Sequence, residues 1–129
     1  MRRELKYFSL WLALGWLIVG AVIFLSLVSS LPIDIDVRHS DKLGHVIAYT
    51  VLMGWFVQLF HNRTVLIIHA LLLIAMGIGL EFAQEYHSRH FEYADMVANS
   101  LGVVFGFVLL FTPLHRVLQW FERRFLIRN

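Results

Sequence analysis

The chain contains no cysteine, so it can form no disulfide, no haem thioether and no thiolate zinc site, and it carries no sign of its redox compartment. Charge is scarce as well. Asp, Glu, Lys and Arg make up 16% of the 129 residues and hydrophobic residues 59%, where a soluble domain averages about 25% and roughly 45 to 50%. The shortage is concentrated in four stretches without a charged side chain, 7–33, 43–62, 64–80 and 96–115, of 27, 20, 17 and 20 residues. A soluble core built from so short a chain cannot hide that many apolar side chains from water, so the surplus is expected to face lipid. Short loops and two basic tails are all that remains. That leaves no room for a soluble catalytic or nucleic-acid-binding domain, and the net charge of +2 implies no nucleic-acid partner. Serine-nucleophile, phosphate-loop and dinucleotide motifs are missing too.

A helix crosses the hydrocarbon core with about 20 apolar residues. The chain therefore reads as one all-α membrane domain, 1–129, an integral four-helix bundle with spans at about 8–30, 43–60, 65–86 and 94–112. The first run follows Arg2, Arg3 and Lys6, as a secretory signal would, but it is longer than a signal's apolar region of about 7 to 15 residues and is expected to be a retained span. With both ends in the cytoplasm, eight Lys and Arg residues lie inside and three outside, so the positive-inside rule places both termini there. After Pro113, Leu114, Val117, Leu118, Phe121 and Phe125 recur at helical spacing while His115, Gln119, Glu122 and Arg123 point elsewhere. This predicts an amphipathic interfacial helix over 114–128, serving either as an orientation anchor or in recognition of anionic lipid.

No internal repeat or low-complexity tract interrupts the chain, and all eight glycines fall within the spans. Ala94, Ala98, Gly102 and Gly106 form a small-residue stripe, four apart, that admits a close helix neighbour. That neighbour is expected within the same chain, with a homo-oligomer seam through Gly102 and Gly106 as the sharper alternative.

Polar residues gather at the outer ends of three spans. Asp41, His45 and Tyr49 share one face with Lys42 adjacent, Glu81, Gln84 and Glu85 form a second, and Asp95 and Asn99 form a third. Structural roles account for part of this: Asp41 suits an N-cap, and Asp95 a first helical turn where the helix dipole favours negative charge. Glu81, about one turn inside the apolar zone, needs a donor or a proton, and Arg89, Lys42, His45 or Asn99 is expected to supply one. His69 is expected to bond a backbone carbonyl or face the inner interface, and His39, His87 and His90 to lie in loops. No histidine pair has metal-ligand spacing, so neither a metal nor another cofactor is expected.

Asp41-Lys42-Leu43-Gly44-His45, Glu81-Phe82-Ala83-Gln84, Arg89 and Asp95-Met96-Val97-Ala98-Asn99-Ser100-Leu101-Gly102, in this order and spacing, resemble the signature of the VanZ-like family of small bacterial membrane proteins. The resemblance covers about Asp36 to Leu110; the first span and the tail match only in general character. It implies a multi-pass protein of the bacterial inner membrane with a cell-envelope role, linked in the family's namesake to low-level resistance to the glycopeptide antibiotic teicoplanin. The family positions carried here are Asp41, Lys42, His45, Glu81, Gln84, Arg89, Asp95 and Asn99; Glu92 and Tyr93 lie where the match is not relied on.

Spacing and resemblance together lead to an outward polar pocket that engages an amphiphile, either a lipid-linked envelope intermediate or a lipoglycopeptide. Lys42 and Arg89 suit phosphate or carboxylate, Gln84 and Asn99 sugar or amide groups, and Phe91 and Tyr93 the apolar part. The rival is an enzyme on lipid-linked envelope intermediates, with Glu81 or Asp95 as base, His45 as acid, and Lys42 or Arg89 stabilising an oxyanion. A third reading is a packing subunit of a larger membrane complex.

Overall fold

The computed structural model describes residues 2–28, 40–86 and 92–127, without the side chains of Ser40 and Asp41. Among the described residues the regular structure is all helical apart from one isolated antiparallel bridge between Arg2 and Phe60. Four long helices, α1 (Phe8–Val28), α2 (Ser40–Leu59), α3 (Arg63–Tyr86) and α4 (Tyr93–Val108), precede a 3-10 turn at Leu109–Phe111. The expected spans are thus displaced by a few residues at their ends. Among the described residues three helices are long and apolar enough to cross a membrane: Phe8–Val28, Arg63–Tyr86 and Tyr93–Phe111. The expected second span is not among these three, since α2 carries Asp41, Lys42, His45 and Gln58 among its apolar residues.

What α2 lacks in apolarity it gains in burial. From Tyr49 to Leu59 its Tyr49, Leu52, Met53, Phe56, Val57 and Leu59 are at most 1% exposed, and they form about half of the core. Each neighbour fits against α2 through a glycine. A Cβ on Gly102 would lie 2.5 Å from the Val46 carbonyl oxygen and 2.8 Å from Tyr49 Cβ, and one on Gly106 would lie 2.6 Å from Met53 Cβ. The small-residue stripe of α4 is therefore occupied by α2 of the same chain, where hydrogen side chains let two backbones approach. On the other side Gly15 of α1 makes room for the Trp55 indole, whose Nε1 donates to the Trp11 carbonyl at 2.9 Å.

α2 and α3 each touch both α1 and α4, while α1 and α4 are apart among the described residues. Outward faces remain apolar: Leu17, Phe24 and Leu25 of α1, Leu71, Leu72 and Phe82 of α3, and Val104 and Phe105 of α4 are all exposed. A water-soluble monomer does not expose so continuous an apolar surface, and this surface is the one a lipid bilayer covers.

The short link between α2 and α3 is closed by Asn62, whose side-chain oxygen accepts the Val65 N–H at 3.2 Å as an N-cap. His69 behaves as expected, with Nδ1 2.8 Å from the Val65 carbonyl oxygen and its ring tilted against Phe56 and Phe60.

The tail departs from the expected single helix over 114–128. It is a 3-10 turn at Pro113–Arg116, a short α5 (Val117–Phe121) and a π-helical turn at Glu122–Leu126. The expected outward-pointing Glu122 is 2% exposed. Its carboxylate accepts the N–H groups of Lys6 at 2.8 Å and Tyr7 at 2.9 Å, and the Trp11 indole N–H at 2.6 Å. These backbone N–H groups lie at the entry to α1, where no Ser, Thr, Asp or Asn precedes the helix among residues 2–7 to cap it. Glu122 supplies that cap from the far end of the chain, with the helix dipole adding to the attraction. Gln58 of α2 fixes the tail from the other side, donating to the Leu114 carbonyl at 2.6 Å and accepting the Leu118 N–H at 3.1 Å.

Candidate functional site

One end of the molecule collects the start of α2, the end of α3 and the start of α4. Four polar side chains there are almost wholly buried: Glu81 (3% exposed), Gln84 (2%), Asp95 (1%) and Asn99 (4%). Ionisable and amide groups in an otherwise apolar bundle need partners, because an unpartnered polar group without water costs several kcal/mol, about 2 to 7 depending on the reference state.

Glu81 takes its donor from the backbone. Its Oε1 accepts the Glu92 N–H at 2.9 Å, and Glu92 is the N-cap residue of α4 without a side-chain cap of its own. The carboxylate of α3 thereby fixes the entry of α4. Of the other expected donors, Lys42 Nζ pairs with Glu92 Oε2 at 2.9 Å across an exposed rim, His45 Nδ1 lies 2.9 Å from Asn99 Oδ1, and Arg89 lies outside the described residues. Gln84 is likewise spent on structure, donating Nε2 to the Ser26 carbonyl at 2.7 Å and so tying α3 to the end of α1.

Asp95 sits in the first turn of α4, where the dipole favours its charge. Asp41 is the second residue of α2 and so falls inside the first turn rather than at the N-cap position; its side chain, with Arg89, Phe91, His39, His87 and His90, lies outside the described residues. Among the described residues no group of His, Asp and Glu is arranged to hold a metal ion.

Two residues join the site beyond the eight expected to bind a ligand, one of them, Tyr49, already on the polar face of α2 by spacing. Glu92 lies at its rim, offering its N–H to Glu81 and its carboxylate to Lys42. It sits immediately before α4, and an N-cap position three residues ahead of Asp95 is the signal that would have found it. Tyr49 is the second. Its ring is 1% exposed, and its hydroxyl is buried with no hydrogen-bond partner. Gly77 of α3 makes this possible: an added Cβ would stand 3.1 Å from Asn99 Nδ2 and 3.2 Å from Tyr49 Oη. His45 and Asn99 are thus linked at the half-buried edge of α2, and Asn99 and the Tyr49 hydroxyl both border Gly77 deeper in the bundle.

Compared with known proteins, the chain matches no family model, no curated protein and no solved structure.

Proposed function

We propose that the chain is a VanZ-like protein of the bacterial inner membrane that holds an amphiphilic ligand of the cell envelope at the polar end of α2, α3 and α4. In this reading all four long helices span the bilayer, α2 being shielded by the other three, and both termini lie in the cytoplasm, where the basic residues gather. The polar end then faces outward, at the depth of the outer headgroups. The ligand is a lipid-linked envelope intermediate or a lipoglycopeptide, with Lys42 at the rim meeting its phosphate or carboxylate and the lipid portion lying against the exposed Leu43, Ile47 and Val51 of α2.

The observation that carries this reading is the Tyr49 hydroxyl. Glu81 and Gln84 each join two helices, whereas Tyr49 Oη, which borders Gly77 as Asn99 does, has hydrogen-bonding capacity left over. A buried hydroxyl left unsatisfied costs about 1 to 3 kcal/mol, and groups that cost stability without return concentrate at functional sites. Binding is favoured over catalysis because the buried carboxylate Glu81 serves as a structural acceptor rather than as a poised base.

The test is binding of undecaprenyl phosphate and of teicoplanin to the protein in nanodiscs, for wild type, Tyr49→Phe and Lys42→Gln. Tyr49→Phe is expected to keep or raise the thermal midpoint while weakening one of the two ligands at least fivefold, and Lys42→Gln to weaken it further with little change in stability. Equal binding by all three proteins, or no binding of either ligand, would reject the proposal.

A further inference from the structure

The opposite end of the molecule holds a second polar feature, built from the two ends of the chain. An open cavity of about 380 Å³ is lined by Arg2, Arg3, Arg116 and Arg123. His61 and Gln119 complete its wall, and Glu4 is its single carboxylate. Among the described residues no carboxylate lies within ion-pair distance of any of the four arginines.

These arginines are held by the fold. The backbone N–H of Arg3 donates to the Leu59 carbonyl at 2.8 Å and its Nε to the Val57 carbonyl at 3.1 Å, which fixes it against the end of α2. Arg2 is bridged to Phe60 and lies over the Phe8 ring at 5.2 Å. Arg116 and Arg123 flank α5, which Gln58 and Glu122 bind to the body of the protein, and Gln119 donates to the Glu4 carbonyl at 3.3 Å. Burial and the neighbouring Arg116 charge together push the Arg3 guanidinium below its ordinary pKa. Four like charges held at one site, with Arg3 partly desolvated, repel one another, and a bound anion offsets that repulsion.

Guanidinium forks match phosphate oxygens in pairs, and the cavity's size suits a headgroup. The tail beside it exposes Trp120, Phe125 and Leu126, continuing the apolar surface to the cavity's edge at interfacial depth. We propose that this cavity is a binding site for a phosphate-bearing anion, the phosphodiester headgroup of an acidic phospholipid being the occupant that its membrane-side position favours. The site is separate from the polar end of α2 to α4 and does not depend on what binds there.

The experiment compares full-length wild type with the double variants Arg116→Gln/Arg123→Gln and Arg116→Lys/Arg123→Lys, with Arg63→Gln as a basic residue outside the cavity. Retention of phosphatidylglycerol against phosphatidylcholine is read by native mass spectrometry from mixed nanodiscs, and inorganic phosphate is titrated in neutral detergent. Wild type is expected to retain phosphatidylglycerol selectively, the glutamine pair to lose about tenfold or more in that selectivity, the lysine pair to keep most of it, and Arg63→Gln to match wild type. Protection by millimolar inorganic phosphate, lost in the glutamine pair, supports the site with a free anion as its source; phosphatidylglycerol retention without it supports the headgroup. Should the glutamine pair fold poorly, wild-type retention must still fall as salt rises from 0.05 to 0.5 M, by the screening of exposed charge. Equal selectivity in wild type and glutamine pair, an equal loss in Arg63→Gln, or wild-type retention insensitive to salt would overturn the proposal.

Discussion

Removing the Glu122 carboxylate tests whether the tail is part of the fold or merely lies on the membrane. Glu122 is 2% exposed and accepts three N–H groups at 2.6 to 2.9 Å. A hydrogen bond to a charged group contributes about 1.5 to 3 kcal/mol, and an anion at a helix N-terminus adds about 0.3 to 1 kcal/mol. The full sum is an overestimate, because Lys6 and Tyr7 are exposed and water can replace part of what their N–H groups lose. The Trp11 indole is only part-buried, but its bond is the shortest of the three. Glu122→Ala is therefore expected to cost about 3 kcal/mol, which for a chain of this length lowers the thermal midpoint by about 12 °C. Glu122→Gln keeps one acceptor but turns an amide N–H₂ toward a donor, so a loss of about half that size is expected. Tryptophan fluorescence followed on heating in a single detergent reads both values. A midpoint for Glu122→Ala within about 2 °C of wild type would refute the capping argument and restore a free interfacial helix.

The glycines offer a paired comparison: Gly102→Ala drives a Cβ to 2.5 Å from the Val46 carbonyl oxygen and is expected to cost about 2 kcal/mol or more, because two backbones must part. Gly79→Ala, with nothing within 4 Å of the new Cβ, is expected to be neutral or to stabilise by up to about 1 kcal/mol; equal midpoints for the two variants would contradict the packing described. Glu81→Ala removes the acceptor for the Glu92 N–H and is expected to destabilise by about 1 to 3 kcal/mol, whereas Glu81→Gln retains a carbonyl acceptor and should lose less than half of that. Amide exchange at Glu92 reports the same bond directly, and unaltered protection in Glu81→Ala would argue against it. Lys42→Gln breaks an ion pair whose side chains are 45% and 51% exposed, so a stability change below about 1 kcal/mol, vanishing at high salt, is expected from the thermal midpoint.

Local rules made much of this molecule legible. Helix positions follow from charge-free runs, because a backbone in lipid must satisfy its own hydrogen bonds within each segment. The meeting of α2, α3 and α4 at a polar end follows from four-residue spacing, and His69 follows from the cost of an unpartnered imidazole. The same reasoning placed Asp95 in its helical first turn and the small-residue stripe of α4 against a neighbour in its own chain.

Partner choice lay beyond those rules. Glu81 was short of a donor on sequence grounds, yet its donor is a backbone N–H, which no side-chain pattern encodes. Glu122 falls on the polar side of the tail's periodicity, and only the docking of the tail on residues 115 and 116 positions away turns it inward. α2 read as a span like the others, and the burial of its second half is decided by the close approach that Gly15, Gly102 and Gly106 allow to its neighbours. The sequence by itself determined which segments are helical and which ends are polar, because both depend on neighbours within about one turn and on the solvent outside. The tertiary structure decided which group answers which charge and brought four arginines from opposite ends of the chain to one cavity, because those pairings depend on distances between helices that only packing sets.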